Sequence, residues 1–308
     1  MGKNGSGPAG GRGRWAPLLL LLLALLALPA AAAGPPAVVV IAEPGSAHQQ
    51  AFIRGLEAGL EGAVTIEQRP PEGVGEIASS SLVVAVGERA GNAVAERRCG
   101  DWRLYGLVSW GAARGWLKGD PRAAARVVEQ PPRRVVALLA AVLPEARRVG
   151  LLLGPSSRHY GRRLVSALKE EGREPKVRHV TEEAAVEPGV EELFAESQAL
   201  LVPADPVVIN RRTAVPLIQG AYLRGVPLVG PGRSSVRAGA LMALHTDPVA
   251  LGREAAEDVR AALAGATPAG HRHPLDFQVV VNYGVARALG LAVPPEGRLQ
   301  QQLKEGAP

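Results

Sequence analysis

The last third of the sequence contains four short segments that decide the fold: Pro203-Ala-Asp-Pro206, Gly225-Val-Pro-Leu-Val-Gly230, Ala238-Gly-Ala-Leu241 and Phe277-Gln-Val-Val-Val-Asn282. They mark short apolar runs that end at Gly, Pro, Asp or Asn, and helix-like stretches follow them. The last segment leads into Ala286-Arg-Ala-Leu-Gly-Leu291. An α/β protein builds a ligand crevice from such alternation.

The same alternation extends back through the chain. Val38–Ile41 and Leu82–Val86 are continuous apolar runs, and Arg148–Leu153 is apolar after its first residue; such runs are typical of buried parallel strands. Between the first two, the spacing of apolar residues over 47–60 predicts a helix with one buried face. A second helix is predicted over residues 207–223. The connections are long enough for helices, so parallel order is expected throughout both sheets.

Two such runs are separated by a stretch rich in Gly and Pro. Within it, residues 110–120 contain Gly111, Gly115 and Gly119, and Pro121 follows. We interpret residues 110–120 as a connection and rim loop, because Gly and Pro interrupt regular elements. The sequence therefore predicts an α/β fold with two doubly wound parallel-sheet lobes.

The N-terminus has the pattern of a signal peptide. Three basic residues and no acidic one precede an apolar run over residues 18–28, and small residues follow it. The alternative is a membrane anchor, but about eleven residues span only about 16 Å as a helix, whereas a bilayer core needs about 30 Å. We therefore predict cleavage after Ala33 and a periplasmic protein without stable membrane insertion.

The charge balance of the mature chain is mild. The full sequence has 35 Lys and Arg against 29 Asp and Glu, and removing the leader leaves 32 against 29. This excess is too small and too scattered to indicate nucleic-acid binding. Cys99 is the only cysteine, so it cannot form an internal disulfide. An apolar core must therefore stabilise the fold.

The order and spacing of the four segments resemble a known family. They are similar to the C-terminal half of ABC-transporter substrate-binding proteins with the type I periplasmic-binding fold. The resemblance extends to Glu129-Gln-Pro-Pro-Arg-Arg134 and Leu143-Pro-Glu-Ala-Arg-Arg-Val-Gly-Leu-Leu-Leu153, and covers about residues 125–296. First-lobe motifs of members that bind aromatic amino acids are not recognisable, so ligand identity does not transfer.

This resemblance implies two lobes that clamp a ligand and are joined by a hinge that the chain crosses several times. The signal peptide predicted from the N-terminal pattern comprises residues 1–33, and the lobes are assigned by analogy with the family. The first lobe comprises residues 37–125, with about 245–270 returning to it. The second comprises residues 126–244, with about 275–308 returning to it.

Candidate ligand contacts follow the strands, because the crevice of an open α/β sheet lies beyond the carboxyl ends of its strands. Hydroxyl side chains suit carboxylate or amide groups, a carboxylate suits an amine, and an aromatic ring provides a stacking wall. The predicted ligand-binding residues are Ser46, His48, Gly87, Ser109, Ser156, Ser157, Tyr160, Asp205, Ser234 and Ser235.

Some of these residues have a purely structural alternative. Ser46 with Gln49 fits a helix capping box, and Asp205 before Pro206 fits an N-cap followed by a first-turn proline. A cap at a crevice helix can also contact ligand. Both roles therefore stay open for Ser46 and Asp205.

Signals for catalysis, metals and cofactors are weak. Gly154-Pro-Ser-Ser-Arg158 and Gly232-Arg-Ser-Ser-Val236 lack the second glycine of a nucleophile elbow, and no dinucleotide fingerprint follows the first strand. His271 and His273 with Asp276 could supply three metal ligands, but no fourth is marked. We predict no catalytic residue, metal or cofactor.

The predicted function is capture of a small organic solute between two lobes. The family resemblance implies delivery to an inner-membrane ABC importer. One alternative is a ligand-binding sensor or accessory module for another envelope partner, such as a receptor or kinase. Another is a structural protein whose crevice binds nothing.

Overall fold

The computed structural model describes residues 1–2, 5, 37–62, 64–79 and 81–306. The predicted leader, residues 1–33, and its cleavage site lie almost wholly outside them. Among the residues that are described, none of the helices combines the length and apolarity needed to cross a bilayer.

The first half of the described chain alternates strands and helices. Its strands are β1 (Ala37–Ile41), β2 (Thr65–Arg69), β3 (Leu82–Val86), β4 (Trp102–Val108) and β5 (Ala123–Val127). Its helices are α1 (Ala47–Leu60), α2 (Glu88–Arg97) and α3 (Trp110–Leu117), and a 3-10 helix spans Pro71–Glu76.

The second half continues the alternation. Its strands are β6 (Arg148–Leu153), β7 (Glu174–His179), β8 (Ala199–Leu201), β9 (Leu228–Gly230), β10 (Met242–His245), β11 (Gly270–Arg272) and β12 (Gln278–Val281). Its helices are α4 (Pro132–Val142), α5 (Arg158–Glu170), α6 (Val186–Glu196), α7 (Ala214–Leu223), α8 (Arg233–Arg237), α9 (Pro248–Leu263), α10 (Tyr283–Ala288) and α11 (Glu296–Glu305). A 3-10 helix at Glu183–Ala185 precedes α6.

The described strands form two six-stranded sheets. The first sheet has the order β11-β5-β4-β3-β1-β2, and the second has the order β12-β10-β9-β8-β6-β7. All described pairs are parallel except β10 with β12, which is antiparallel. The predicted class of two doubly wound α/β lobes is confirmed, but the expectation of parallel order throughout is wrong for β12.

The chain passes between the sheets three times within the described residues. It leaves the first sheet after β5, returns after β10 through α9 to β11, and leaves again to reach β12. A multi-crossing hinge is therefore present, as predicted. The predicted lobe boundary between residues 125 and 126 falls inside β5.

Helix α9 fastens the returning segment to the first sheet by packing closely on α1. A Cβ at Gly55 would lie 2.0 Å from the carbonyl oxygen of Val249, and a Cβ at Gly252 would lie 2.0 Å from that of Phe52. Only glycine permits these backbones to approach so closely. Phe52, Leu56 and Leu251 fill the apolar core beneath the contact.

The segment predicted as a rim loop is mostly helix α3. The hydroxyl oxygen of Ser109 caps the helix by accepting a hydrogen bond from the backbone N–H of Ala112 at 3.3 Å. A Cβ at Gly111 would lie 2.1 Å from the carbonyl oxygen of Ser156, in the segment before α5. Gly111 therefore allows the two lobes to pack closely, and it does not form a turn.

The predicted helix over 207–223 begins later, at Ala214. The side chain of Asn210 accepts hydrogen bonds from the backbone N–H groups of Arg212 and Thr213 at 2.9 and 3.2 Å. Its own Nδ2 donates to the carbonyl oxygen of Pro206 at 2.9 Å. These local bonds stabilise turns over residues 206–213, because an Asn side chain competes with helix bonding.

Candidate functional site

A cavity of about 580 Å³ lies between the carboxyl ends of the two sheets. Its volume is in the range of small-molecule sites. Residues from both lobes and from the crossing segments line it: Ala47, His48, Ala51, Leu107, Val128, Glu129, Gln130, Val135, Tyr160, Leu201, Val202, Pro203, Ala204, Val229, Gly230, Pro231, Gly232, Arg233, Ser234, Arg237, Leu244, His245, Thr246 and Pro248.

The first-lobe wall combines the start of α1 with a bulge in β4. Ala47, His48 and Ala51 occupy the first turns of α1. Leu107 is the extra residue in the pairing of β4 with β5, which shifts between Gly106 and Val108. Its φ of 57° is uncommon for a residue with a Cβ. The bulge turns the Leu107 side chain into the cavity wall, a common use of a β-bulge beside a site.

Hydrogen bonds connect the crossing segments at the base of the cavity. Gln130 Nε2 donates to Thr246 Oγ1 at 2.7 Å, and Thr246 Oγ1 donates to the carbonyl oxygen of Val128 at 3.0 Å. The Tyr160 hydroxyl donates to the carbonyl oxygen of Gln130 at 2.7 Å, and Arg134 donates to the Gln130 side chain at 2.6 Å. Two crossings and two second-lobe helices, α4 and α5, therefore meet at Gln130.

Glu129 is a buried carboxylate beside this network, with only 7% of its surface exposed. Both of its carboxylate oxygens lie 3.0 Å from the backbone nitrogen of Trp110, which donates to them at the start of α3. Burial raises the pKa of Glu129 to about 7, although the bond from Trp110 opposes the shift. The carboxylate thus links the first crossing segment to α3.

Basic side chains form another part of the cavity lining. His48 approaches from the first lobe, Arg233 and Arg237 from α8, and His245 from the end of β10. Arg233 donates a hydrogen bond to the side-chain oxygen of Gln278, which carries no charge. Burial, followed by the charge of Arg233, lowers the pKa of His245. This part of the cavity therefore has a positive potential.

Three of the predicted ligand-binding residues line the cavity: His48, Tyr160 and Ser234. His48 lies in the first turn of α1, whereas Ser234 lies in α8 beside Arg233. The ring of Tyr160 forms part of the wall, but its hydroxyl is already bonded to Gln130. That His48, Tyr160 and Ser234 contact the ligand therefore stays a prediction.

The other seven predicted residues lie outside the cavity lining. Ser46 and Ser109 cap α1 and α3, and the Ser109 hydroxyl also donates to Glu88 at 2.6 Å. Gly87 adopts a φ of 88° before α2. Ser156 packs against Gly111 through its backbone. The remaining three are internal to the second lobe: Ser157, Asp205 and Ser235.

Local hydrogen bonds account for these three buried residues. Ser157 Oγ accepts from the backbone N–H of Gly154 at 3.0 Å, and the Ser235 hydroxyl donates to the carbonyl oxygen of Gly232 at 2.6 Å. Asp205 Oδ2 accepts from the N–H of Ser157 at 2.7 Å, and its Oδ1 accepts from the N–H of Val207 at 3.0 Å. The capping alternative therefore describes Asp205, and the interpretation of this carboxylate as a partner for a ligand amine is not supported by its position.

We expect Asp205→Asn to reduce stability without changing ligand affinity. One oxygen of the amide can accept a backbone N–H, but the NH₂ group then faces the second donor. The lost bond should lower the free energy of unfolding by about 1–3 kcal/mol, measured by urea denaturation.

Asp247→Asn is the matched control. Asp247 caps α9 through a single oxygen, which accepts from the N–H of Val249 at 2.9 Å, and Asn caps helices about as well as Asp. It should cost much less stability than Asp205→Asn. Equal costs for the two variants would contradict the double role of the Asp205 carboxylate.

Sequence reasoning missed several residues of the lining. Leu107 depends on a bulge, and Gln130, His245 and Thr246 lie where the chain crosses between lobes. Arg237 lies one turn beyond Ser234 in α8. Of these residues, only Arg237 could have been predicted from the sequence, because a residue one turn beyond Ser234 lies on the same face of the helix.

The two histidines predicted as weak metal candidates pack around Trp110. The His271 ring stacks on Trp110 with centroids 4.7 Å apart, and the His273 ring lies edge-on at 5.8 Å. His273 Nδ1 lies 2.8 Å from the carbonyl oxygen of Glu129. In the part of the chain that the structure describes, no group of three His, Cys, Asp or Glu side chains is arranged to hold a metal.

A model of the family described as ABC transporter substrate binding protein matches residues 129–299. No curated protein matches the chain.

Solved structures from three bacteria share the fold. A conserved domain protein from Vibrio cholerae has a TM-score of 0.65 at 18% identity, covering 86% of this chain and 98% of its own. An ABC domain in complex with L-Trp from Streptococcus pneumonia has a TM-score of 0.65 at 16% identity, with the same coverage. A ligand-free, open substrate binding protein with adhesive properties from Clostridium difficile has a TM-score of 0.66 at 19% identity, covering 84% and 96%.

Proposed function

Since this chain belongs to the ABC transporter substrate-binding protein family, we propose that it captures one small organic solute between its lobes and delivers it to an inner-membrane ABC importer. The chain performs no chemistry on the solute. Each sheet with its helices forms one lobe, so residues 37–127 and 248–272 make the first, and residues 132–245 and 278–305 make the second.

The observation that carries this proposal is the composition of the cavity wall. His48 and Ala51 approach from the first lobe, Arg233 and Ser234 from the second, and Thr246 from a crossing segment. A ligand that contacts both walls binds more strongly when the lobes are close together. It therefore favours the closed state, and hinge closure is a common response of two-lobed proteins.

Small-angle X-ray scattering tests closure directly. The protein is unfolded, dialysed to remove bound molecules and refolded, and the small-molecule fraction released from it is then returned. We expect the radius of gyration to fall when that fraction is added. An unchanged radius, with no small molecule detected by mass spectrometry of the released fraction, would contradict the proposed function.

Ala51→Trp provides a variant that fills the cavity from the wall of α1, and Ala58→Trp is its control on the exposed side of the same helix. Only the first should abolish the change in radius. Loss in both variants would indicate damage to α1 rather than a blocked cavity.

Export is the second part of the proposal. We expect the protein released from the periplasm of a bacterial host to begin at Gly34, because the small residues before it suit a signal peptidase. N-terminal sequencing checks this expectation. Recovery of the intact leader on membrane-bound protein would contradict it.

A further inference from the structure

We propose that the cavity takes a small organic anion, a carboxylate with an apolar body and no amine. This inference rests on the proposed binding function and names the ligand class of the same site. Three features of the cavity and its surroundings support it. Basic groups face the cavity, the nearby carboxylates already accept hydrogen bonds from other groups, and much of the wall is apolar.

Basic groups face the cavity from both lobes. Arg233 and Arg237 are both exposed and lie on α8, and neither is among the arginines that form ion pairs within the described residues. His48 approaches from α1 on the other lobe, and His245, at the end of β10, lies close enough to all three to feel their charges. An anion placed among these groups would receive charge-assisted hydrogen bonds from both lobes.

The electrostatic environment of His245 indicates positive potential. Burial and the charges of Arg233, His48 and Arg237 all lower its pKa, and only Asp247 acts in the opposite direction. The first turn of the 14-residue helix α1 also faces the cavity, so its partial positive charge adds to the potential.

The carboxylates near the cavity already have partners. Glu129, the only acidic residue in the lining described above, accepts from the Trp110 N–H with both oxygens. Asp205 is occupied by two backbone N–H groups, and Asp247 caps α9. Glu43, near the start of α1, accepts from Arg89 at 3.2 Å. Among the described carboxylates around the cavity, an ammonium group would therefore find none ready to pair with it.

Most of the remaining wall is apolar and accounts for the body of the ligand. It includes Leu107, Val128, Val135, Val202, Pro231 and Leu244. Burying a hydrocarbon or aromatic body against these side chains supplies affinity, while the basic groups fix the position of the anionic end. The arrangement favours a ligand with an apolar body over one that is polar over its whole surface.

Two matched ligand series isolate the charge of the ligand. The first comprises indole-3-acetate, tryptophan and tryptamine, and the second comprises 4-methylpentanoate, leucine and 3-methylbutylamine. Within each series the apolar body is similar, while the charged group changes from anion to zwitterion to cation. We expect calorimetry on refolded, ligand-free protein to show the order anion, then zwitterion, then cation in at least one series.

Arg237→Gln tests the source of the preference, and Arg298→Gln on α11 is a control with the same charge change outside the cavity. Loss of one charge-assisted bond should weaken binding of the anion roughly ten- to a hundred-fold in the first variant. The control should bind the anion as tightly as the unchanged protein does. Tryptamine should not lose affinity in either variant.

The outcomes separate this inference from the proposed function. Tighter binding of the zwitterion or the cation, absence of binding by both anions, or equal effects of the two variants would overturn the anion preference. The proposed function fails separately, if no small molecule co-purifies and none changes the radius of gyration.

Discussion

Replacing Arg126 by leucine is expected to lower the free energy of unfolding by about 3–5 kcal/mol. Arg126 lies in β5 with only 4% of its side chain exposed. Its Nη1 lies 3.1 Å from Glu254 and its Nε lies 2.6 Å from Asp258, and both carboxylates are on α9. Without the guanidinium Glu254 loses its ion-pair partner, and Asp258 keeps only the more exposed Arg272 at 2.6 Å. Leaving buried charges underpaired costs more than the pair itself contributes.

The same network supports a crossing between the lobes. Glu254 Oε1 accepts hydrogen bonds from the backbone N–H groups of Leu275 and Asp276, both at 3.0 Å, just before the chain enters the second sheet. We therefore expect Arg126→Leu to increase amide hydrogen exchange at these two residues as well.

Arg122→Leu is the control for this prediction. Arg122 pairs with Asp101 at 2.7 Å, but about 60% of each side chain is exposed. Such surface pairs contribute about 0–1 kcal/mol. Chemical denaturation of both variants measures the difference, and similar costs would contradict the role given to the buried network.

Glu129→Gln is expected to change how stability depends on pH. The folded state holds the pKa of Glu129 at about 7, against an ordinary value of 4.5. Between these values the folded protein binds the proton more tightly than the unfolded chain does, so this group lowers stability as pH rises through the window. The loss is about 3 kcal/mol when complete, and the variant should not show it.

The histidines around Trp110 act in the opposite direction. Burial lowers the pKa of His271 from 6.5 to about 4, so its contribution to stability increases as pH rises through that window. The pH profile of the unchanged protein combines both slopes. The informative quantity is therefore the difference in unfolding free energy between variant and unchanged protein at each pH.

Glu187→Gln, on the exposed side of α6, is the control for this measurement. The difference for Glu129→Gln should change with pH across the window much more than the difference for this exposed carboxylate does. A flat difference for Glu129→Gln would show that the Glu129 carboxylate is not destabilised by its surroundings.

Most of the fold could be predicted because its central strands are continuous apolar runs. Val38–Ile41, Leu82–Val86 and Arg148–Leu153 lie within observed strands, and the predicted helix over 47–60 has the observed bounds. Strand β5 was not recognisable, because Ala123-Ala-Ala-Arg-Val127 has low strand propensity and is a strand only through its neighbours β4 and β11.

The site was less predictable than the fold because sequence does not show which polar groups are already bonded. Ser157 and Asp205 each follow a strand, as ligand contacts should. The Asp205 carboxylate, however, accepts a hydrogen bond from the backbone N–H of Ser157. Residues such as Gln130 and Thr246 face the cavity only because two distant crossing segments meet. The same local pattern therefore describes a ligand contact and an internal cap equally well.

The return of α9 and β11 to the first sheet has a consequence for the order of folding. Because the chain is synthesised from its N-terminus, residues 37–127 are available early. The segment over 248–272, which covers α1 and adds the edge strand of the first sheet, is made nearly last. Contacts between such distant segments slow folding, because a long loop must close first. We expect the early lobe to stay incomplete until almost the whole chain has emerged, which would keep the polypeptide unfolded for the export proposed above.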